Sequence, residues 1–209
     1  MRTSAIALGI AAALASGSAS AWETTLLDTN TPAREQTITS KQLGIKAASP
    51  FSIKVQLLHG GRQEGVILVT IDTGTMKITV VPNRGMNVAQ AVSGKVRLGW
   101  KSPVHEIVNP AFLDQGARNG IGWLEGFNDL LTRCGYEWVG HAGADEDGTM
   151  LTLHGLAANI PASDVILSVD EKPPYTIRLK GLLREQAFKK VDFTIDTELN
   201  TVPGAKNFT

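Results

Sequence analysis

From Ser52 onward the chain alternates between short runs of apolar positions spaced two apart and clusters of turn residues. "SIKVQLL" (52–58) alternates, "EGVILVTID" (64–72) is almost continuously apolar, and "TGT" breaks the chain after it. "MKITVVP" (76–82), "MNVAQAV" (86–92) and "KVRLGW" (95–100) follow, separated by "NRG" and "SG". Successive strand residues point to opposite faces, so a period of two marks a half-buried strand. Runs this short and this closely spaced predict antiparallel strands of an all-β sandwich or barrel. The pattern resumes at "TMLTLHG" (149–155), "DVILSVD" (164–170), "YTIRLKGLLRE" (175–185) and "KVDFTIDTEL" (190–199). One stretch departs from it. In "IGWLEGFNDLLTRCG", Trp123, Phe127, Leu130 and Leu131 fall at i, i+4, i+7 and i+8, a helical face, and Gly135 sits where a C-cap belongs. A short helix or an irregular loop packed on the sheet is expected there, since Gly126 weakens a helix.

The two ends follow other rules. Arg2, the apolar run "AIALGIAAALA" and the small residues Ala19-Ser20-Ala21 have the layout of a secretory signal peptide over residues 1–21. The apolar run falls short of the roughly 20 residues that cross a bilayer. The mature chain is thus expected to start at Trp22, in a periplasm or outside the cell, with no membrane contact after signal removal. Residues 22–50 are polar and aperiodic and read as a loop-rich segment; residues 51–209 read as the β-domain. The chain stops at Thr209, just after a turn on Pro203-Gly204 where a further strand is expected to begin.

Composition narrows the partners. Acidic and basic residues balance at 20 each and are scattered, so the basic stripe of a nucleic-acid binder is missing from the sequence. Cys134 is the single cysteine, so no internal disulfide is expected. His59, His105, His141, His154 and Cys134 never pair at zinc-ligand spacing, and no glycine-rich phosphate loop or Gly-x-Ser-x-Gly elbow occurs. Neither a metal nor a cofactor is expected.

Three groups of residues can carry chemistry. His154 ends an alternating run, turns on Gly155 and precedes the small residues "LAANIPAS", an arrangement that points its ring at a pocket those residues keep open. Imidazole donates or accepts near neutral pH, which suits sugar hydroxyls and acid–base work. Arg84, in the turn "PNRG", forks onto a carboxylate or onto vicinal hydroxyls; a solvated turn arginine explains the same residues. Trp100, Trp123 and Trp138 offer rings on which the C–H faces of sugars stack, or they fill the core. Cys134 reads as a buried structural thiol. Glu125, Asp129, Glu137 and Asp164 include no recognisable catalytic pair.

Taken together, "VVPNRGMNVAQAVSGKVRLGWKSP", "GWLEGFNDLLTRCG" and "LHGLAANIPA" resemble the aldose 1-epimerase-like family labelled as a domain of unknown function, within the galactose mutarotase-like superfamily. The resemblance runs from about residue 65 to the C-terminus. It implies an antiparallel β-supersandwich, a small-molecule carbohydrate as partner, and His154 as the histidine that meets the sugar, with Arg84 and the Trp123–Cys134 segment near the same pocket. Leu156 departs from the arginine that follows His-Gly in the family pattern. Family members are nearly twice this length, and the acid histidine and base glutamate of mutarotases lie in their second half. The chain is therefore expected to hold an incomplete sandwich and to be inactive alone, with substrate-binding residues His154, Arg84 and Trp123 and no catalytic residue assigned. A non-catalytic exported carbohydrate-binding module is the alternative, and a purely structural exported β-protein the third reading.

Overall fold

The computed structural model describes residues 20–209. The signal-peptide expectation falls almost wholly outside them; Ala21 is already the first residue of a strand.

Two antiparallel sheets face each other. The six-stranded sheet runs β2 (Gln36–Thr39), β3 (Ser52–Leu57), β4 (Ile67–Asp72), β5 (Lys77–Val81), β6 (Asn87–Ser93) and β7 (Val96–Leu98), each hydrogen-bonded to the next. The four-stranded sheet has the order β1 (Ala21–Leu27), β10 (Asp164–Asp170), β11 (Ile177–Ala187), β12 (Val191–Thr201). A separate small hairpin joins β8 (Gly143–Ala144) and β9 (Met150–Leu151). The expected antiparallel sandwich is thus present, with strand after strand where the period-two pattern put it.

The alternation places the core. Ile53 and Val55, Val69 and Ile71, and Ile78 and Val80 point inward from β3, β4 and β5. They meet Val165, Leu167 and Val169 of β10 and Ile177, Leu179 and Leu183 of β11. All twelve are essentially removed from water. Each such side chain stabilises the fold by about 1.5–3 kcal/mol relative to exposure, before the entropy of ordering it.

Two expectations need correction, and a third resolves to one of its alternatives. The 22–50 segment contains two strands: β1 pairs with β10, from Ala21↔Asp170 to Leu27↔Val165, and β2 pairs with β3. Both are edge strands, and an edge at the margin of the core needs few apolar residues, so their sequences lack the periodic signal. Of the two alternatives for 121–135, the irregular loop is the one found, with one 3₁₀ turn at Gly122–Glu125 in place of a helix. Gly126 follows that turn, where a Cβ would press on the Leu113 side chain at 2.8 Å, and Leu131 then bridges to Val88. The run expected to reach His154 as a strand pairs only at Met150–Leu151.

What positions the site is the long excursion between β7 and β10. It returns across the β5–β6 turn, next to a register shift between Thr79 and Val80 that bends the β5–β6 ladder.

Candidate functional site

The β5–β6 turn is built around Arg84. Its backbone nitrogen donates to Val81 O at 3.0 Å, and Asn87 N donates to Arg84 O at 2.8 Å. Gly85 has φ +56 and its nitrogen donates to Ile160 O at 2.9 Å; a Cβ there would run into the Ala157 carbonyl. Only glycine lets the turn and the loop after His154 approach this closely.

Arg84 is not the solvated turn arginine, nor does it face a solute. Its side chain is 1% exposed, and its Nη2 lies 2.8 Å from Asp129 Oδ2, which is itself fully buried. Nη1 donates to Asn128 Oδ1 at 2.9 Å. The carboxylate alternative read from the turn is the one realised. Burial pushes Asp129 above the ordinary carboxylate range, with Arg84, Asn87 and Thr132 pulling it back. Burial likewise pushes Arg84 down, offset in part by Asp129. A guanidinium does not lose its proton in a protein, so Asp129 has a fixed positive charge 2.8 Å away.

Asn87 extends the network. Its Nδ2 donates to Asp129 Oδ2 and to Ala158 O, both at 3.1 Å, and its Oδ1 accepts from Arg133 N at 3.0 Å. The Arg133 Nε donates to Gly85 O at 2.6 Å. The turn at 84–87, the segment at 128–133 and the loop at 154–160 are therefore one hydrogen-bonded body, although they are far apart in sequence.

His154 adopts φ 61, and Gly155 follows at φ 77. Among the described residues the hydrogen bonds of His154 run through its backbone: N to Gly140 O at 2.8 Å, and O from Gly135 N at 2.9 Å. Gly135 O in turn accepts from Ala157 N at 2.8 Å. The half-buried imidazole meets the Trp123 ring edge-on, with centroids 5.7 Å apart. Trp123 packs on Phe127 at 4.8 Å, and Phe127 on Trp100 at 5.2 Å. Trp123 is 5% exposed, too little for a sugar to stack on it; it fixes the histidine ring instead. The small residues do not hold a pocket open either. Ala157, Ala158 and Asn159 are buried, and they let the loop close onto Gly85.

The three residues singled out from sequence thus occupy one region, with His154 alone at the surface. Asn87, Asn128, Asp129 and Arg133 were missed as a group; a charge set inside the apolar run "FNDLL" was the available signal. Glu185 was missed as well. It is buried and accepts from Tyr136 N at 2.7 Å, and it lines a small cleft of about 80 Å³ with Trp138, Gly155 and Leu156. Cys134, read as buried, is exposed.

Arg84 Nε, Asp129 Oδ1, Trp123 Nε1 and Asn159 Oδ1 are buried and have no hydrogen-bond partner among the described residues. Among the described residues no group of three or more His, Cys, Asp or Glu side chains is arranged to hold a metal ion.

A family profile described as "Domain of unknown function (DUF4432)" matches residues 63–209. The chain belongs to this family, an aldose 1-epimerase-like group whose label states no function. It is similar to the crystal structure of a "putative aldose 1-epimerase" from Klebsiella pneumoniae subsp. pneumoniae, at 44% identity and a TM-score of 0.85. That likeness covers 90% of this chain and 50% of the other, so the chain spans half the length of the solved structure. The fold is therefore of the galactose mutarotase-like sandwich type. No curated protein matches the chain at a comparable level.

Proposed function

We propose that the protein binds a sugar or sugar derivative at the His154 loop and belongs to an aldose 1-epimerase-type isomerase. What supports this is the convergence of the three motif blocks on one hydrogen-bonded body from which the His154 imidazole emerges. The name of the similar solved structure, a "putative aldose 1-epimerase", points to the same chemistry.

In this reading His154 hydrogen-bonds a ring hydroxyl. Trp123 fixes its ring plane, and the Arg84–Asp129 pair holds the β5–β6 turn against the loop. Epimerisation at the anomeric carbon takes a base for the anomeric hydroxyl proton and an acid for the ring oxygen, each with a pKa near the working pH. Neither role is assigned to residues 20–209, and the likeness covers 50% of the similar structure. The signal-peptide layout of residues 1–21 supports a periplasmic or extracellular location for the protein.

A non-catalytic carbohydrate-binding module is the second reading. It is favoured by one observation: the buried charges of the region, Arg84 and Asp129, neutralise each other instead of facing a solute.

Calorimetric titration with a panel of monosaccharides and uronic acids tests the shared part of both readings. A specific sugar should bind, and His154→Asn, which tolerates the left-handed backbone, should weaken it. No binding at all, or equal binding by the folded variant, sinks the assignment of His154. Polarimetry of freshly dissolved α-glucose and α-galactose identifies an isomerase if mutarotation runs faster than in buffer; an unchanged rate is expected both of the module and of a chain without the acid and base.

A further inference from the structure

A roofed cleft lies away from His154. Strands β3 to β5 put Gln56, Thr70 and Thr79 on the sheet face opposite the core, alternating with the inward Val55, Val69 and Val80. With the segment 100–107 as roof, that face floors a cleft of about 430 Å³. This lies within the roughly 300–1,000 Å³ typical of small-molecule sites. His154, Arg84 and Trp123 do not line it.

A polar outer face is ordinary for an antiparallel sheet. This one is roofed, and the roof is pinned. Ser102 Oγ donates to Phe127 O at 2.8 Å and accepts from Val104 N at 3.0 Å. Asn128 Nδ2 donates to Val104 O at 3.2 Å and Glu106 O at 2.8 Å. A roof fixed before binding loses little freedom when a ligand arrives.

The charges of the cleft are one-sided. Arg97 and Lys101 line it, with no Asp or Glu among the lining residues. The one carboxylate of the roof, Glu106, is engaged by Arg62, accepting from its backbone N at 3.0 Å and lying 3.7 Å from its Nε. Arg97 is aimed by its neighbours: Nε donates to Gln90 Oε1 at 2.8 Å and Nη1 to Trp100 O at 3.3 Å. Trp100, 42% exposed, adds an aromatic surface to the same wall.

We propose that this cleft is a second binding site, which takes an anionic sugar derivative. The carboxylate or phosphate of the ligand pairs with Arg97 and Lys101, through charge-assisted hydrogen bonds. Gln56, Gln90 and Thr70 meet the hydroxyls, and the C–H face of the ring rests on Trp100. The site stands apart from the His154 reading: His154, Arg84 and Trp123 do not line it, although Asn128, which accepts from Arg84, belongs to its wall.

Calorimetry on the full chain at low salt, with glucuronate, glucose 6-phosphate, glucose and inorganic phosphate, tests the proposal. Both charged sugars, or the one whose anion the site fits, should bind more tightly than glucose and than phosphate. The double variant Arg97→Gln/Lys101→Gln should weaken that binding about tenfold or more, the loss of one or more charge-assisted contacts. Trp100→Ala should weaken the charged sugar and leave phosphate unchanged, and His154→Asn should leave the charged sugar unchanged. The preferred anion names the source of the ligand. Charged sugars bound no better than glucose or than phosphate, wild-type binding by the double variant, or binding abolished by His154→Asn would each overturn the proposal. Arg97, Trp100 and Lys101 are exposed, so these variants keep the fold, which an unchanged melting temperature verifies.

Discussion

The Arg84 guanidinium lies 2.8 Å from the Asp129 carboxylate, and the two side chains are 1% and 0% exposed. The pair joins the β5–β6 turn to the segment 128–133, and each partner is the reason the other can be buried. Asp129→Asn leaves a buried cation without its counter-charge and should cost about 3–5 kcal/mol. The double variant Arg84→Met/Asp129→Leu should recover much of that loss. Urea unfolding of the wild type, Arg84→Met, Asp129→Leu and the double variant measures the coupling; additive losses would show that the two charges do not depend on each other.

His154 and its backbone make separable contributions. Its φ of 61 disfavours a side chain with no local hydrogen bond of its own. Histidine and alanine both carry that backbone penalty, so His154→Gly should be more stable than His154→Ala by about 1 kcal/mol. If both variants lose sugar affinity equally while differing in melting temperature, the affinity belongs to the imidazole. Melting temperatures in the opposite order would show that this turn is not under backbone strain.

Gly85 is where two distant segments touch. A Cβ there meets the Ala157 carbonyl, and the φ of +56 adds to the strain. Gly85→Ala should destabilise the protein by about 2 kcal/mol or more, in the manner of overpacking. It should also raise hydrogen exchange at Ala157 and Ile160, as the loop lifts from the turn. Wild-type stability would mean that the approach is looser than described.

The end of the β10–β11 hairpin carries the pH dependence. Asp170 accepts from Arg178 Nη1 at 2.6 Å and Nη2 at 3.0 Å. The Arg178 hydrogen bonds hold its carboxyl below the ordinary carboxylate range. A depressed folded pKa contributes stability that is fully present above the unfolded value, near 4, and is lost as pH falls through the folded value. The stability gap between wild type and Asp170→Asn should be constant at neutral pH and close below about pH 4. A gap that persists into acid would assign the loss to packing.

Export can be read directly. Mass spectrometry of the protein from a periplasmic fraction should give Trp22 as the first residue. A soluble cytosolic product that keeps Met1 would remove the periplasmic placement.

The period-two pattern was enough for the strands that carry the core. Burial of alternate residues is a local property of a strand, so β3 to β6 and β10 to β12 are legible in Ile53, Val69, Ile78, Leu167 and Leu179 without any knowledge of partners. The edge strands β1 and β2 are not, because their place depends on β10 and β3 and little on their own apolar content. The same division holds at the site. Residue type and order marked His154, Arg84 and Trp123 as one group, and chain order did not show which of them meets solvent. That outcome depends on Asp129, 45 positions from Arg84 in the sequence, and on Gly85 meeting the carbonyl of Ala157. An ion pair and a backbone approach of this kind exist only once the segments have been brought together. Tertiary structure therefore decided that Arg84 and Trp123 support the histidine, and that the cleft on the far sheet face has basic walls.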